Sequence, residues 1–245
     1  MIWRARGEVA WLEADLAGQA VATFSTRDGG VSRGDFSSLN LGVVTDDRTG
    51  DVLENRRRLA EALGIEAGRV SMGFQVHGNV VREADSREPG PFQDPEASPP
   101  IEADGQFTDE TGRPLLVLVA DCLPVALLGE RGLAMLHCGW RGLAAGIVEA
   151  AVGRIGAVAA AIGPGIGPCC FEVGSEVAAE FEGLGQGLMQ GRNLDLPEAA
   201  RRILTRRGAA EGELSGTCTA CDPRFFSHRR DSGRTGRQAG IAWLK

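Results

Sequence analysis

The chain contains 245 residues, and its 43% hydrophobic and 24% charged residues are ordinary for a globular protein with a sizeable core. Its formal net charge of −7 argues against a nucleic-acid partner. The N-terminus lacks the apolar stretch of a signal peptide, and Asp121 interrupts the apolar run that comes nearest to membrane-spanning length. We therefore expect a single cytoplasmic domain over residues 1–245, whose six cysteines are thiols, ligands or core residues rather than a disulfide framework.

Predicted helices and strands alternate loosely along the chain. Short apolar runs bounded by turn residues predict buried strands over residues 9–12, 21–24, 70–76, 80–83, 115–120, 133–136, 158–162 and 241–244. Apolar residues at helical spacing predict helices over residues 51–63, 143–155, 173–181 and 197–207. The proline-rich residues 85–100 are predicted to form a loop, and residues 129–132 a hairpin turn. This order predicts a mixed α/β fold with mixed sheets rather than a pure doubly wound fold.

Two of the predicted strands end on reactive residues. The strand over residues 115–120 leads into Asp121 and Cys122, and the strand over residues 133–136 leads into His137. A residue at the end of a buried strand is held rigidly yet faces a loop, where catalytic groups are commonly found. The sequence therefore predicts that neighbouring strand ends present a thiol and an imidazole to the same site.

His77, which closes another apolar run, completes a candidate site with Cys122 and His137. Two imidazoles and one thiolate suit Zn²⁺, and three protein ligands leave a fourth position for water, as in catalytic zinc sites. Such an ion lowers the pKa of its water to about 7. The same residues allow a second interpretation, in which Cys122 is a nucleophile, His137 is its base and Asp121 orients the base. The sequence leaves both interpretations open.

Three polar residues are candidates for binding a substrate. Arg141 lies where a strand turns into a helix, and a helix N-terminus with an arginine suits a phosphate or a carboxylate. Arg27 and Asn40 lie in turn-rich loops from which they could reach a pocket. The GPGIGP segment at residues 163–168 could form an anion nest, but Pro168 replaces the third glycine of a dinucleotide fingerprint.

The remaining cysteines and the third histidine carry weaker signals. Cys218 and Cys221 have a metal-like spacing, so a structural zinc with Cys169 and Cys170 is conceivable. Because adjacent cysteines rarely satisfy tetrahedral geometry together, we expect buried or idle thiols at these positions instead. His228 is expected to be an ordinary core or surface residue.

Short motifs are spread along almost the whole chain. They are TRDGGVS at 26–32, SLNLG at 38–42, NR at 55–56, QVHG at 75–78, ADG at 103–105, ADCLPV at 120–125, HCGWRG at 137–142, GPGIGP at 163–168, FEVG at 171–174, FFSHRRD at 225–231 and TGR at 235–237. In this order they resemble the YfiH-like laccase-domain family, also called the multicopper polyphenol oxidase or purine nucleoside phosphorylase family. One departure is His228, where the family commonly has tyrosine.

The resemblance implies a single-domain sandwich with mixed β-sheets between helical layers, similar to a group of cysteine hydrolases. It also implies a zinc site on His77, Cys122 and His137. The implied substrates are purine nucleosides: phosphorolysis of adenosine, inosine or 5′-methylthioadenosine would give free base and a ribose 1-phosphate, and adenosine would also be deaminated. Relatives are further described as peptidoglycan editing factors, which remove serine from a muramic-acid precursor. A Cys–His hydrolase of that kind, with Cys122 as nucleophile, is the main rival function.

The family's older name implies oxidase activity, which the residues of this chain do not support. A multicopper oxidase needs one copper for electron entry and a three-copper cluster, both rich in histidine, whereas this chain has three histidines. Cu²⁺ could still occupy the single site, because it outcompetes Zn²⁺ for most nitrogen and sulfur ligand sets. We therefore expect Zn²⁺, with Cu²⁺ as the alternative metal and oxidase activity as secondary. A non-catalytic metal- or nucleoside-binding module is the remaining alternative.

Overall fold

Two large β-sheets and five α-helices dominate the described part of the chain. The computed structural model describes residues 1–84, 91–95, 101–156, 159–209 and 212–245. The strands are β1 (Ile2–Arg6), β2 (Val9–Leu16), β3 (Ala20–Ser25), β4 (Val81–Glu83), β5 (Gly105–Thr108), β6 (Leu115–Val119), β7 (Leu123–Gly129), β8 (Gly132–Cys138), β9 (Ala159–Ile162), β10 (Met189–Gln190), β11 (Asn193–Leu194), β12 (Glu213–Leu214) and β13 (Gln238–Leu244). The α-helices are α1 (Thr49–Leu63), α2 (Trp140–Ala144), α3 (Ile147–Ile155), α4 (Ser175–Glu180) and α5 (Leu196–Arg206).

The two large sheets differ in strand direction. One is antiparallel throughout and has the strand order β1-β2-β3-β13-β6. The other is mixed and has the order β12-β9-β7-β8-β5-β4, with a parallel pair at each end. This architecture confirms the predicted mixed α/β fold. Among the described residues, no helix combines the length and the apolar character that crossing a membrane requires.

Buried side chains of the described residues form three clusters that define the layers. Phe24 and Met135 belong to the cluster between the two sheets. Leu127 and Ile203 belong to a cluster that joins the mixed sheet to helices α3 and α5. Leu59 belongs to a third cluster, in which α1 covers the antiparallel sheet. Helices therefore lie on the outer faces of a sheet-on-sheet sandwich, as the family resemblance implied.

Strand β7 shows how the sequence produces these layers. Leu123, Val125 and Leu127 contribute to the cluster with the helices, whereas Ala126 and Leu128 contribute to the cluster between the sheets. Successive side chains of a strand point to opposite faces, so a continuous apolar run is buried on both. The hairpin of β7 and β8 is thus anchored in the centre of the protein.

Two of the predicted elements take a different form in the structure. The helix predicted over residues 143–155 is interrupted, because Gly146 adopts a left-handed φ of 86° between α2 and α3. The strand predicted over residues 70–76 forms isolated bridges instead of a ladder. Of the loop predicted over residues 85–100, only residues 91–95 lie within the described part of the chain.

Candidate active site

The register of the central hairpin places Cys122 beside His137. Cys122 directly precedes β7, and Pro124 of β7 pairs with His137 of β8. The chain passes from the antiparallel sheet to the mixed sheet at Asp121, which has a φ of 90°. The sequence analysis expected the strand before Cys122 (β6) to be the neighbour of the strand that carries His137 (β8), and this expectation was wrong. Strand β6 belongs to the other sheet. Cys122 lies beside His137 because the strand that follows it, β7, pairs with β8.

Asp104 holds both histidines in place. Its fully buried carboxylate lies 2.7 Å from His137 Nδ1. The same carboxylate accepts hydrogen bonds from the backbone N–H groups of Val76, His77 and Gly78 at 3.1, 2.9 and 2.7 Å. Burial alone would raise the pKa of Asp104, but its hydrogen bonds to His137 and to these amides hold it below the usual range. His137 therefore donates from Nδ1 and has Nε2 available for a metal or a thiol.

The three predicted ligands form a cluster that can hold one metal ion. One ligand atom from each of His77, Cys122 and His137 lies within 4.8 Å of the others. Gly139, which caps the N-terminus of α2, keeps this space open. A Cβ at that position would lie 3.0 Å from Cys122 Sγ and 3.3 Å from His77 Cδ2. Because two imidazoles and one thiolate converge here, the residues fit a zinc ion with one remaining coordination position.

Cys122 and His137 also change each other's protonation. Burial opposes ionisation of the Cys122 thiol, but the charge and hydrogen bonds of His137 and His77 lower its pKa to about 6. Burial likewise opposes the charged form of His137, but Cys122 and Asp104 raise its pKa to about 9. The pair therefore favours a thiolate beside an imidazolium at neutral pH, and a thiolate is both a metal ligand and a nucleophile.

This cluster lines a cavity of about 850 Å³. The apolar part of the lining includes Phe74, Ile101, Leu118, Trp140 and Phe171. The positively charged part, among the described residues, consists of Arg56, Arg82, Arg141, Arg229 and Arg237. Asp121 is the one acidic residue in that described lining. The cavity thus carries an excess of positive charge within a protein of net charge −7, which favours an anionic ligand.

Two of the lining arginines are substantially buried. Arg56 is 2% exposed and donates to the carbonyl groups of Leu41 and Phe92, while its Nη2 has no hydrogen-bond partner within the described ranges. Burial lowers the pKa of Arg56 to about 10. The guanidinium of Arg237 donates to two carbonyl groups of its own loop at 2.9 Å, and burial lowers its pKa as well. Because buried charges are normally paired, a bound anion would complete this environment.

The predicted substrate residues Arg141 and Arg27 occupy different environments. Arg141 lines the cavity, and its Cζ lies 4.4 Å from the ring centroid of Trp140. Arg27 donates from Nε to the carbonyl of Ser37 at 2.5 Å, and its guanidinium lies 4.6 Å from the ring centroid of Phe226. Arg27 is outside the described lining of the cavity, because its side chain connects two loops.

Asn40 also lies outside the described lining. Its side chain is fully buried, and its amide nitrogen donates to Thr45 and Asp47 at 2.9 Å. Its amide oxygen accepts from the backbone N–H groups of Gly42 and Arg237. Asn40 therefore shapes the cavity indirectly, by positioning two segments that line it.

Asp121 does not contact the imidazole that it was expected to orient. Its carboxylate accepts hydrogen bonds from Thr219 Oγ1 and from the backbone N–H of Arg229, both at 2.6 Å. The orienting carboxylate is Asp104, at 2.7 Å from His137. Asp121 instead fixes a cavity-lining segment next to the thiol.

Six residues of this site were missed or undervalued by the sequence analysis. They are Asp104, which orients His137, the cavity-lining residues Arg56, Arg82, Arg229 and Arg237, and His228, which also lines the cavity but was expected to be ordinary. All of them except Arg82 lie in motifs that carry the family resemblance, at residues 55–56, 103–105, 225–231 and 235–237. Those motifs were the available signal, since nothing in their local pattern indicates a contact with the cluster.

The four cysteines expected to be buried or idle thiols are grouped in the structure. The sulfur atoms of Cys169, Cys170, Cys218 and Cys221 lie within 4.8 Å of one another. Cys169 and Cys221 are exposed, so burial does not account for them. They form a second cluster of potential metal ligands.

Comparisons with known proteins agree over most of the chain. A family model described as multi-copper polyphenol oxidoreductase laccase matches residues 21–245. A protein of Pseudomonas aeruginosa named purine nucleoside phosphorylase is 39% identical over 254 residues, covering 96% of this chain and 99% of that protein. Purine nucleoside phosphorylase YlmD of Geobacillus stearothermophilus is 37% identical over 241 residues, covering 89% of this chain and 88% of that protein.

Solved structures show the same fold. The crystal structure of YlmD from Geobacillus stearothermophilus matches with a TM-score of 0.82 and 34% identity, covering 92% of both chains. The crystal structure of the hypothetical protein YfiH from Bacillus licheniformis matches with a TM-score of 0.83 and 30% identity, covering 92% of this chain and 93% of that chain. The similarity therefore extends over most of this chain.

Proposed function

Since the chain belongs to the family described as multi-copper polyphenol oxidoreductase laccase, and its relatives include proteins named purine nucleoside phosphorylases, we propose that it is a zinc-dependent purine nucleoside phosphorylase. The proposed substrates are adenosine, inosine and 5′-methylthioadenosine. The observation that carries this proposal is the cavity in which five arginines of the described chain accompany His77, Cys122 and His137.

The arginines favour phosphorolysis over deamination. Phosphorolysis needs an anionic nucleophile, and guanidinium groups bind phosphate through paired N–H donors. Arg141 is exposed at the start of α2, whereas Arg56 and Arg237 present buried positive charge to the same space. Deamination of a neutral nucleoside by water does not require such an excess of positive charge.

The proposed reaction breaks one bond and forms one bond at the ribose. A phosphate oxygen forms the bond to C1′, while the glycosidic bond breaks and the purine leaves with the bonding electrons and takes up a proton. Phe74, Trp140 and Phe171 line the cavity and are suited to pack against the purine. Arg141 would hold the phosphate against C1′. A zinc ion on the His/Cys cluster would supply a Lewis acid.

The ligand set also supports zinc chemistry over oxidase chemistry. Of the three histidines, His77 and His137 belong to the proposed zinc site, while His228 lines the cavity. A three-copper cluster needs more imidazoles than the chain contains. We therefore propose Zn²⁺ as the native metal, with deamination of adenosine as a side activity of the same His/Cys set.

One observation favours a second candidate, a cysteine hydrolase. Asp104 contacts His137, and His137 contacts Cys122. A cysteine hydrolase uses the same arrangement, in which an acid orients the base and the base activates the nucleophile. Such an enzyme could remove an amino acid from a cell-wall precursor without a metal. The two candidates differ in their response to a chelator.

The test is product analysis on protein of measured zinc content. Inosine, adenosine and 5′-methylthioadenosine are each incubated with and without phosphate, and the products are identified by mass spectrometry. We expect free base only when phosphate is present, together with an equal amount of the ribose 1-phosphate product. Removal of zinc with a chelator should abolish the reaction, and added zinc should restore it.

Two arginine variants provide a matched comparison. Arg141→Ala should raise the KM for phosphate by about tenfold, as expected for loss of one charge-assisted contact. Arg131→Ala removes an exposed arginine from the β7–β8 turn, at the far end of the hairpin, and should change nothing. Absence of product from zinc-replete protein would contradict the proposal. Hydrolysis of a cell-wall amide that persists after chelation would support the hydrolase instead.

A further inference from the structure

Two surface loops bring four cysteines together outside the His/Cys cluster. Cys169 and Cys170 follow β9, and Cys218 and Cys221 follow β12, which is the parallel neighbour of β9. Their sulfur atoms lie within 4.8 Å of one another. Cys221 Sγ lies 3.4 Å from Cys169 Sγ and 3.4 Å from Cys170 Sγ.

These distances match a tetrahedral metal site. A Zn–S bond is about 2.3 Å long, so the sulfur atoms of a regular tetrahedron are about 3.8 Å apart. The observed separations, from 3.4 Å to at most 4.8 Å, lie around that value. A disulfide needs sulfur atoms at about 2.05 Å, and Cys221 is equally close to two possible partners.

A tight turn lets two adjacent cysteines contribute to one site. The backbone N–H groups of Cys170 and Phe171 both donate to the carbonyl of Gly167, at 3.0 and 3.1 Å. The N–H of Gly167 donates to Cys218 Sγ at 3.2 Å. A Cβ on Gly167 would lie 3.2 Å from Cys218 Cβ and 3.5 Å from Cys169 Sγ, so glycine permits this close approach. An amide donor to sulfur is the kind of contact that stabilises a metal-bound thiolate.

We propose that Cys169, Cys170, Cys218 and Cys221 bind one Zn²⁺ in a structural site separate from the His/Cys cluster. Four protein ligands complete the coordination of zinc, so this ion has no open position for a substrate. Arg229 donates from Nη1 to the carbonyl of Cys170 at 3.2 Å, so a positively charged side chain contacts the loop that carries Cys169 and Cys170. The proposal does not depend on the proposed enzymatic function.

This zinc would hold one wall of the cavity. Ile166, Phe171 and Arg229 line the cavity. Ile166 and Phe171 flank Cys169 and Cys170 in the sequence, and Arg229 donates to the carbonyl of Cys170. The N–H of Ile166 donates to the carbonyl of Asp121 at 2.8 Å, and Thr219 donates to the Asp121 carboxylate at 2.6 Å. Both cysteine-bearing loops therefore contact Asp121, the residue that precedes Cys122. Loss of the zinc from the four cysteines should therefore raise KM more than it lowers kcat.

The direct test is the zinc content of reconstituted, gel-filtered protein, measured by mass spectrometry of the metal. Wild type should hold two zinc ions per chain, whereas Cys221→Ser, Cys169→Ser and Cys122→Ala should each hold one. Cys138→Ala, which removes a buried cysteine outside both clusters, should hold two. X-ray absorption of the Cys122→Ala protein should show sulfur ligands alone, at about 2.3 Å.

Three results would overturn the proposal. The first is wild type with a single zinc ion whose amount Cys221→Ser leaves unchanged. The second is a titration of four thiols instead of the six in the sequence after denaturation without reductant, because two cysteines would then form a disulfide. The third is a metal analysis that finds iron in place of zinc at the four cysteines. If Cys221→Ser fails to fold, the thiol titration and the X-ray absorption spectrum of Cys122→Ala still show whether the four cysteines bind zinc.

Discussion

The two clusters of potential metal ligands in this chain are built from different parts of the fold. Cys122 and His137 meet at one end of the central β7–β8 hairpin, where a loop adds His77, and the fully buried carboxylate of Asp104 fixes the two histidines. The four cysteines come from two surface loops, and a backbone N–H group from Gly167 contacts one of their sulfur atoms.

This difference indicates where chemistry can occur. A metal ion with three protein ligands would keep one open coordination position, at a cluster that lines the arginine-rich cavity, whereas a metal ion with four protein ligands would keep none. A buried carboxylate also sets the orientation of a reactive imidazole, which a purely structural site does not need. We therefore expect variants of the His/Cys cluster to affect the reaction itself and variants of the four-cysteine cluster to affect the shape of the cavity.

The largest expected effect compares one cysteine from each cluster. Cys122→Ala should lower kcat/KM for phosphorolysis of inosine by about 10³-fold or more, because it removes a ligand and the Lewis acid with it. Cys221→Ser should lower kcat/KM by about tenfold or less, mostly through KM, because positioning is weakened while the reacting groups remain. Steady-state kinetics on both variants checks this. Equal losses in kcat would erase the proposed distinction between the clusters.

The next effect concerns two buried aspartates near the site. Asp104→Asn should weaken zinc binding at the His/Cys cluster by about 10–100-fold, because it replaces the acceptor for His137 Nδ1 and for three backbone amides. Asp121→Asn is the matched control, since the Asp121 carboxylate contacts Thr219 and the backbone of Arg229 instead. Competition with a coloured chelator measures both affinities. Similar affinities for the two variants would show that Asp104 does not orient the ligands.

The sequence predicted the mixed α/β fold and the grouping of His77, Cys122 and His137 for identifiable reasons. Continuous apolar runs predicted the strands that became β6 and β8, because strands buried on both faces need such runs. His77, Cys122 and His137 stood out because histidine is scarce and each residue closes an apolar run. The family resemblance was confirmed by the family model and by the relatives.

Other features depend on contacts that no local pattern records. Asp104 acts on His137 from 33 positions away, and an Asp-Gly pair in a sequence looks like any turn. Strand β1 is exposed at every residue, so it has no apolar run to reveal it. The spacing of Cys218 and Cys221 was metal-like, but the four cysteines are brought together by the parallel pairing of β9 with the very short strand β12, which no local pattern predicts.

A smaller effect should come from two glycines, one beside each cluster. Gly139→Ala adds a Cβ about 3.0 Å from Cys122 Sγ, and Gly167→Ala adds one 3.2 Å from Cys218 Cβ. Neither glycine has a positive φ, so the effect should arise from crowding rather than from backbone strain. We expect each substitution to weaken zinc binding by about tenfold at its own cluster and to leave the other cluster unchanged. Chelator competition on both variants measures this, and a loss at the opposite cluster would indicate that the sites are coupled.

The smallest expected effect is on the free energy of unfolding, and it comes from Glu198, a residue outside both clusters. Glu198 lies in the first turn of α5, and Arg201 and Arg202 donate to its carboxylate, at 2.6 and 2.8 Å. The hydrogen bond from Arg201 is the main reason that the pKa of Glu198 falls to about 2, well below the value of about 4.3 in an unfolded chain. Its stabilising contribution is therefore complete above pH of about 5 and is lost as the pH falls towards 2.

Glu198→Gln should lower the free energy of unfolding by about 0.5–1 kcal/mol at pH 7, as expected for a partly exposed carboxylate at a helix N-terminus. The difference from wild type should shrink steadily between pH 5 and pH 3. Urea denaturation of chelator-treated protein measures it, because acid would otherwise also release metal from the two clusters. A difference that stayed constant over this range would mean that packing, rather than the charge on Glu198, sets the effect. Zinc content should be unchanged, which distinguishes a local contribution to stability from a change at either cluster.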